Sequence, residues 1–276
     1  MKTIVISGGT DGMGKALAME YLGRGDRVVV LGRDPVKGAL FAEAGRATFI
    51  PADLGLVARN REVVELITRR FPVVDALVLC ARHFRSARVE TAEGIESTFA
   101  LEYLSRHLLS HGLATALGRA ERPVIVNVSG PGTAKPEIRW HDVSLSRSYQ
   151  GVAAQLQAGR ANDLLGVAFA AEHAGSGIAY VLVNPGPVAT SFSGDYDAAT
   201  AAHVEALKRY GKPVEEGVVP IIARIDDPPA APLSAFVEGR RIEPAGPGFE
   251  PEAAQRLAEV TGRLLAELQR EKRERG

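Results

Sequence analysis

The sequence predicts an α/β protein, a doubly wound parallel sheet with helices on both faces, formed as a single domain. Three observations carry this expectation. Short β-branched and aliphatic runs without polar alternation recur along the chain, as strands buried on both faces require. A stretch with helical apolar spacing separates each run from the next. The first run ends in a glycine-rich turn, Ser7-Gly-Gly-Thr-Asp-Gly-Met-Gly14, that opens directly into a helix-like segment. At 276 residues, one large domain buries about three quarters of its unfolded surface and needs no staples.

In chain order, residues 3–6 are the first strand and 15–24 the first helix. Between them, Gly8, Gly12 and Gly14 let the backbone bend sharply, and the unpaired N–H groups of the following helix suit a pyrophosphate. Residues 27–31 are a second strand, closed by Gly32-Arg33-Asp34-Pro35. Pro35 suits a first helical position, so Asp34 is expected to cap a helix to about residue 44. A third strand over 48–54 contains Asp53; a helix follows over 55–70, with Val63, Leu66 and Ile67 at helical spacing. The remaining core pattern is a strand at 76–80, a long helix at 92–117, a strand at 124–129, a long small-residue helix at 150–174 and a strand at 178–184. Beyond Pro185-Gly-Pro187 the pattern is irregular through 191–197 and then helix-like over 198–210 and 214–224. An excursion past a strand end, here about 187–212, is where an open sheet places a substrate lid. Residues 233–237 are a last strand. The charged helix at 249–275, with Leu257, Leu264, Leu265 and Leu268 on one side, reads as packed or oligomer-contacting.

Composition narrows the function. The 33 basic and 33 acidic residues cancel and form no blocks, which argues against nucleic acid or an anionic membrane as partner. Cys80, the single cysteine, excludes an internal disulfide and a cysteine-cluster metal site, and no metal is expected. The apolar run after Met1-Lys2 is too short for a signal-peptide core and no window approaches a membrane span, so a cytoplasmic location is expected.

With these elements placed, the chain resembles the short-chain dehydrogenase/reductase family, a Rossmann-type fold, over nearly its whole length. Ser7-Gly-Gly-Thr-Asp-Gly-Met-Gly14 is similar to that family's Thr-Gly-x-x-x-Gly-x-Gly turn, Asp53-Leu54 to its adenine-contacting acidic pair, and Asn184-Pro-Gly-Pro-Val-Ala-Thr190 to its loop beside the nicotinamide. Leu233-Ser-Ala-Phe-Val-Glu-Gly239 is similar to its last strand and turn. The resemblance implies a nicotinamide cofactor held by Gly8, Thr10, Asp11, Gly12, Met13, Gly14, Arg33, Asp53, Leu54, Cys80, Ala81, Arg82, Pro185, Gly186, Val188 and Thr190. It also implies a small-molecule substrate and a homodimer or homotetramer through the helices at 92–117 and 150–174. NAD sites put a carboxylate at the end of the second strand to accept the ribose 2′-OH. Gly32 stands there instead, and Arg33 offers a guanidinium that can clamp a 2′-phosphate, so NADP(H) is expected over NAD(H). Two readings of Arg33 stay open, phosphate ligand and surface turn residue, because Asp11 occupies a position where many NADP members carry a base.

The catalytic residues depart from the family. Its members use a Tyr as acid or base, a Lys four residues on that lowers the Tyr pKa and holds the ribose, a Ser that orients the carbonyl and an Asn that anchors a water relay. A phenol of pKa about 10 needs such a cation to act as a base near neutrality. Four residues after Tyr21, Tyr103, Tyr149, Tyr180, Tyr196 and Tyr210 stand Gly25, His107, Ala153, Asn184, Thr200 and Val214, so no Tyr-x-x-x-Lys exists. Aligned on Ala161-Asn162, Gln155 takes the Tyr position and Gly159 the Lys position; Gly130 takes the Ser position, with Ser129 one residue early, and Glu102 takes the Asn position. The family's Asn-Ala-Gly is replaced by Cys80-Ala81-Arg82, where Arg82 either obstructs the cofactor or gives it a new contact. Arg160 is offset by one residue, about 100° of helix, and is not expected to replace the lysine.

Glu102, Gln155 and His141 remain as catalytic candidates. Glu102 is either an ion-pair partner or a proton-transfer group with Gln155 as its hydrogen-bond donor. His141, in a loop with Asp142, is either an acid–base group or a surface residue, as is His83 after the fourth strand. Cys80 reads as a core thiol. Three functions stay open: an NADP(H)-dependent oxidoreductase of specialised metabolism working without the Tyr/Lys pair; a non-redox cyclase, dehydratase or isomerase; and a non-catalytic cofactor-binding or partner protein.

Overall fold

A computed structural model describes residues 1–41 and 45–275. In chain order the elements are β1 (Thr3–Ser7), α1 (Gly12–Gly23), β2 (Arg27–Gly32), α2 (Pro35–Gly38), β3 (Ala47–Pro51), α3 (Val57–Arg70), β4 (Ala76–Leu79), β5 (Phe84–Arg85), α4 (Ser97–Phe99), α5 (Ser105–Gly112), α6 (Ala114–Leu117), β6 (Val124–Val128), α7 (Gly151–Glu172), β7 (Ala179–Asn184), β8 (Gly194–Asp195), α8 (Ala198–Tyr210), α9 (Val214–Asp226), β9 (Leu233–Val237), β10 (Arg240–Ile242) and α10 (Pro251–Arg275). Eight strands pair in the order β10-β9-β7-β6-β4-β1-β2-β3. All neighbours are parallel except the β9–β10 hairpin. The chain steps outward from β1 to β3 and then returns to β4 beside β1, so strand order reverses there. The crevice beyond the carboxyl ends of β1 and β4 is therefore where this architecture receives a ligand.

Alternate residues of each strand enter opposite cores. Ile4, Ile6, Val28, Val30 and Val78 face α1 and α9, where Leu17, Tyr21, Val218 and Ile221 cover them. Val5, Val29, Leu31, Leu77 and Leu79 face the side of α3, α5 and α7, with Ile67, Leu109, Leu164 and Phe169. Because both faces are covered, neither shows polar alternation, which is what made the strands legible.

Most expected boundaries fall within one or two residues, and the exceptions have local causes. α1 starts at Gly12 rather than 15, and β3 stops at Pro51, leaving Asp53 in a turn where its carboxylate accepts from the Gly55 N–H at 3.0 Å. Asp34 caps α2 as expected, accepting from the Val36 and Lys37 N–H groups at 2.8 and 3.2 Å. That helix passes into a 3-10 turn over Ala39–Phe41, and its expected extension over 42–44 lies outside the described residues. The long helix expected from 92 starts only at Ser97, where both Glu96 carboxylate oxygens accept backbone N–H groups, from Thr98 and Phe99, at 2.7 Å. It widens into a π turn over Ala100–Leu104 and is interrupted again at Leu113. The two-residue pair β5–β8 and the edge strand β10 went unpredicted, being too short to carry a period.

α10 lies along α7, burying Ala254 and Leu257 in the same core as Leu164 and Leu165. The Thr261 and Tyr103 hydroxyls meet at 2.7 Å. Among the described residues, no helix is long and apolar enough to cross a membrane.

Candidate active site

The turn after β1 is built by close backbone approach. Gly8 has φ +70°, and a Cβ on it would stand 2.8 Å from the Ala81 backbone. A Cβ on Gly14 would meet the Gly8 carbonyl oxygen at 2.3 Å. Across the crevice, Thr190 comes so near Gly12 that a Cβ there would lie 3.2 Å from it. The Pro185–Thr190 segment thus faces the glycine turn, with Pro185 and Val188 buried and the Gly186 N–H donating to Asn184 Oδ1 at 3.0 Å. Asp11 caps α1, accepting from the Gly12 N–H at 2.7 Å, and forms an ion pair with the Lys37 ammonium. Burial pushes the Asp11 carboxyl up, but the Lys37 and Gly12 hydrogen bonds outweigh it and hold it below its ordinary value.

At the end of β2, a Cβ on Gly32 would fall 2.7 Å from the Thr10 side chain, which would have to shift to admit any larger residue. Arg33 and Lys37 are exposed beside it, the Arg33 guanidinium 3.5 Å from His83 Nδ1. Of the expected adenine contacts, Asp53 is exposed and Leu54 buried.

Deeper in the crevice, three of the predicted residues converge. Glu102, in the π turn and 7% exposed, accepts from Gln155 Nε2 at 3.3 Å, while Arg82 donates to Gln155 Oε1 at 2.5 Å and brings its Nε to 3.8 Å from Glu102 Oε2. Burial raises the Glu102 pKa more than Arg82, Arg106 and Gln155 lower it. The π turn has an identifiable partner: Asn162 Nδ2 donates to the Glu102 carbonyl at 2.7 Å and to the Ala158 carbonyl at 2.8 Å. Asn162 accepts in turn from Asn127 Nδ2 at 2.9 Å, and buried Arg106 donates to Asn127 Oδ1, to the Val128 carbonyl at 2.8 Å and to the Ala81 carbonyl at 3.2 Å. This buried network fixes Glu102 and the Cys80–Arg82 segment to β6. Arg106 and Asn127 were invisible to motif reading because their partners lie on other elements. Burial pushes the Cys80 thiol up to about 12 against the opposing pull of Arg106, which leaves it a poor nucleophile.

Gly130 and Gly159 leave room that a distant residue fills. Lys135, in the loop after β6, crosses α7 so closely that a Cβ on Gly159 would meet its Cε at 3.0 Å. Its ammonium ends 2.5 Å from Asp163 Oδ2, both side chains being under 5% exposed. No search along α7 for a replacement lysine would find it. Arg160 donates to the Lys135 and Pro136 carbonyls at 2.6 and 3.3 Å, pinning that loop.

His141 is exposed and lies outside the Arg82–Gln155–Glu102 network, while Asp142 closes its own turn by accepting from the Ser146 and Arg147 N–H groups. His83 belongs to the crevice: Nδ1 is 2.8 Å from Ser193 Oγ and Nε2 3.4 Å from Asp195 Oδ2, and burial lowers its pKa. Segment 187–212 is tied down here through β5–β8, the Arg85–Asp195 ion pair and the stacked rings of Phe84 and Tyr196, 5.2 Å between centroids. Phe192 sits at φ +47°, a left-handed conformation costly for a bulky residue, and its carbonyl accepts from the Tyr196 hydroxyl at 2.5 Å.

The family model for short chain dehydrogenase matches residues 2–146, just over half of the chain. The chain belongs to the short chain dehydrogenase family. The chain is similar to retinol dehydrogenase 13 of Mus musculus, 28% identical over 197 residues, which are 68% of this chain and 59% of that protein. The chain thus spans less than two thirds of that relative. It is similar also to Oxidoreductase calI of Penicillium decumbens, 27% identical over 238 residues, 78% of this chain and 69% of that one. Among solved structures it is similar to the NADPH-bound carbonyl reductase from chicken fatty liver, with a TM-score of 0.65 and 16% identity over 88% of this chain and 98% of that one. The 3-alpha-hydroxysteroid dehydrogenase from Pseudomonas sp. B-0831, complexed with NADH, gives a TM-score of 0.66 and 22% identity over 86% and 96%. At these identities the likeness is one of fold, and the two neighbours carry different nicotinamide cofactors.

Proposed function

We propose that the protein is an NADP(H)-binding oxidoreductase acting on a small molecule without a Tyr/Lys acid–base pair. The observation that carries this reading is the end of β2. There Gly32 carries no carboxylate and the Arg33 guanidinium stands exposed beside it, next to the Lys37–Asp11 ion pair. A 2′-phosphate there would gain charge-assisted hydrogen bonds that a 2′-OH cannot, and Asp11, the acidic feature that argued against NADP, is neutralised by Lys37. The rest of the cradle fits the same group: the glycine turn with Thr10 and Met13 for the pyrophosphate, Asp53 and Leu54 for the adenine, Cys80, Ala81 and Arg82 for the nicotinamide ribose, and Pro185, Gly186, Val188 and Thr190 for the nicotinamide ring.

A bound nicotinamide supplies or takes the hydride; the proton is left to the protein. Glu102, held by Gln155 and raised in pKa, is the group that can carry that proton, with Arg82 steadying its ionised form. Segment 187–212 acts as the lid. The proposed homodimer or homotetramer forms through the long helices at 92–117 and 150–174, and the proposed location is cytoplasmic.

Titration with NADPH and NADH, followed by nicotinamide fluorescence, tests the reading. NADPH is expected to bind more tightly, and equal affinities would sink the assignment. If neither binds, a non-catalytic partner protein is the better description. A second reading has its own support: a carboxyl of raised pKa beside an arginine can move protons without any hydride, as a cyclase, dehydratase or isomerase does. Product formation with no change in reduced-nicotinamide absorbance would select it.

A further inference from the structure

We propose that His111, Glu172 and His173 form a binding site for a divalent transition-metal ion of the zinc type, which clamps α5 to the end of α7. His111 lies in the last turn of α5, Glu172 is the last residue of α7 and His173 follows it. His173 Nε2 is 3.2 Å from His111 Nδ1, His111 Nδ1 is 3.6 Å from Glu172 Oε2, and His173 Nε2 is 4.0 Å from Glu172 Oε1. One ligand atom from each of the three lies within 4.8 Å of the others. A tetrahedral zinc ion with bonds of about 2.0–2.1 Å holds its ligand atoms about 3.4 Å apart, so the observed spacings bracket what the ion requires. Two imidazoles and a carboxylate are the donors for zinc, cobalt, nickel or copper, not for calcium or magnesium, which want oxygen.

Hydrogen bonding within the trio explains the cluster less completely. His111 Nδ1 faces both neighbours at once, yet a neutral ring carries one proton. Its other nitrogen, Nε2, is buried with no hydrogen-bond partner. That nitrogen is the one a metal-bound histidine normally uses to donate to a supporting acceptor. The cavity lined by His107, His111, Glu172 and Leu257 has a volume of about 10 Å³, space for the single water that would accept it. Access exists as well. His107 and His111 border a groove of about 310 Å³ shared with Val64 and Glu65 of α3, and the Glu172 side chain is 63% exposed.

The site is remote from the crevice, since Glu172 lies about 25 Å along α7 from Gln155. Its role is therefore to hold helices together. An ion that binds only the folded chain stabilises it by mass action.

The test uses the full chain after chelation, titrated with zinc by calorimetry and with cobalt by visible absorption. One ion per chain, a raised Tm with excess zinc and a four-coordinate cobalt spectrum are expected. His173→Gln and Glu172→Gln, at partly exposed positions that leave the core intact, should each weaken binding at least tenfold. His203→Gln, on exposed α8, should leave it unchanged. Absence of binding, or binding of equal strength in folded His173→Gln and Glu172→Gln, overturns the proposal.

Discussion

His107 gives the sharpest link between burial and a measurable quantity. It lies on α5 between the rings of Tyr103 and His111, and burial, reinforced by His111, pushes its pKa down to about 3 from an ordinary 6.5. The native chain therefore refuses a proton that the unfolded chain takes up below pH 6.5. A depressed pKa of this kind leaves stability intact above 6.5 and removes it as pH falls from there toward 3. At pH 5 the unfolded imidazole is almost fully protonated and the native one almost not at all. One and a half pH units at about 1.36 kcal/mol each give a loss of ~2 kcal/mol relative to pH 7.5. Urea unfolding at pH 7.5, 6.5 and 5.0, with EDTA present to keep metal ions away, measures the total loss. The same series on His107→Gln removes this one contribution, so the variant should lose ~2 kcal/mol less than the native chain over that range. Identical losses would show that His107 does not stay neutral inside the fold.

Arg33→Ala should weaken NADPH binding by about 1.5–3 kcal/mol in fluorescence titration while changing NADH binding little, and Lys37→Ala should act in the same direction. Glu102→Gln should raise Tm at pH 7–8, because a buried carboxyl of raised pKa supports the fold only while protonated and that support fades as pH rises above 4.5; the gain should vanish in acid, and a pH-independent effect would contradict it. The same variant should slow turnover of the true substrate, and unchanged turnover in a folded variant eliminates Glu102 as the proton-transfer group. Simple ketones should be reduced about 10²–10⁴-fold below ordinary rates for such enzymes, since assistance by a tuned phenol is missing; brisk NADPH oxidation with them that is unaffected by changing Glu102 or His141 would mean that an acid other than these is in place.

What could be read from the sequence is what local rules specify. Unbroken runs such as 27–31 and 76–80 declared buried parallel strands, and Asp34-Pro35 declared a helix start. Arg82 and Glu102 were visible as anomalies because each put a charge where a small or neutral residue was expected. Their mutual approach was not visible, for it depends on the π turn, and the π turn depends on Asn162 sixty residues away satisfying a carbonyl. Lys37 was hidden for a similar reason: only the turn of α2 after Asp34 swings it onto Asp11. Between two loop histidines, sequence gave no reason to prefer His83 over His141. The choice is made by β5–β8, a pairing too short to have a pattern.

Lys135 explains why a carboxyl rather than a phenol suits this crevice. A lysine side chain does cross the face of α7 at Gly159, yet its ammonium is turned to Asp163 and neutralised there, away from Gln155. Lys135 therefore does not lower a phenol's pKa at Gln155. Two tyrosines that feel the charge of Glu102 bear this out: burial raises Tyr149 and Tyr196 and Glu102 raises them further, outweighing the Thr98 hydrogen bond at Tyr149 and the pull of Arg82 and Lys208 at Tyr196, so neither is tuned to serve as a base near neutrality. Glu102 is shifted the opposite way with respect to need, upward from 4.5 toward the pH at which an acid–base group exchanges its proton most readily. Arg82 then has a definite task on our proposal. Its charge opposes that upward shift, and Arg82→Ala should move the limb of the pH–rate profile that Glu102 sets to higher pH. A profile that stays in place would separate Arg82 from the proton-transfer step.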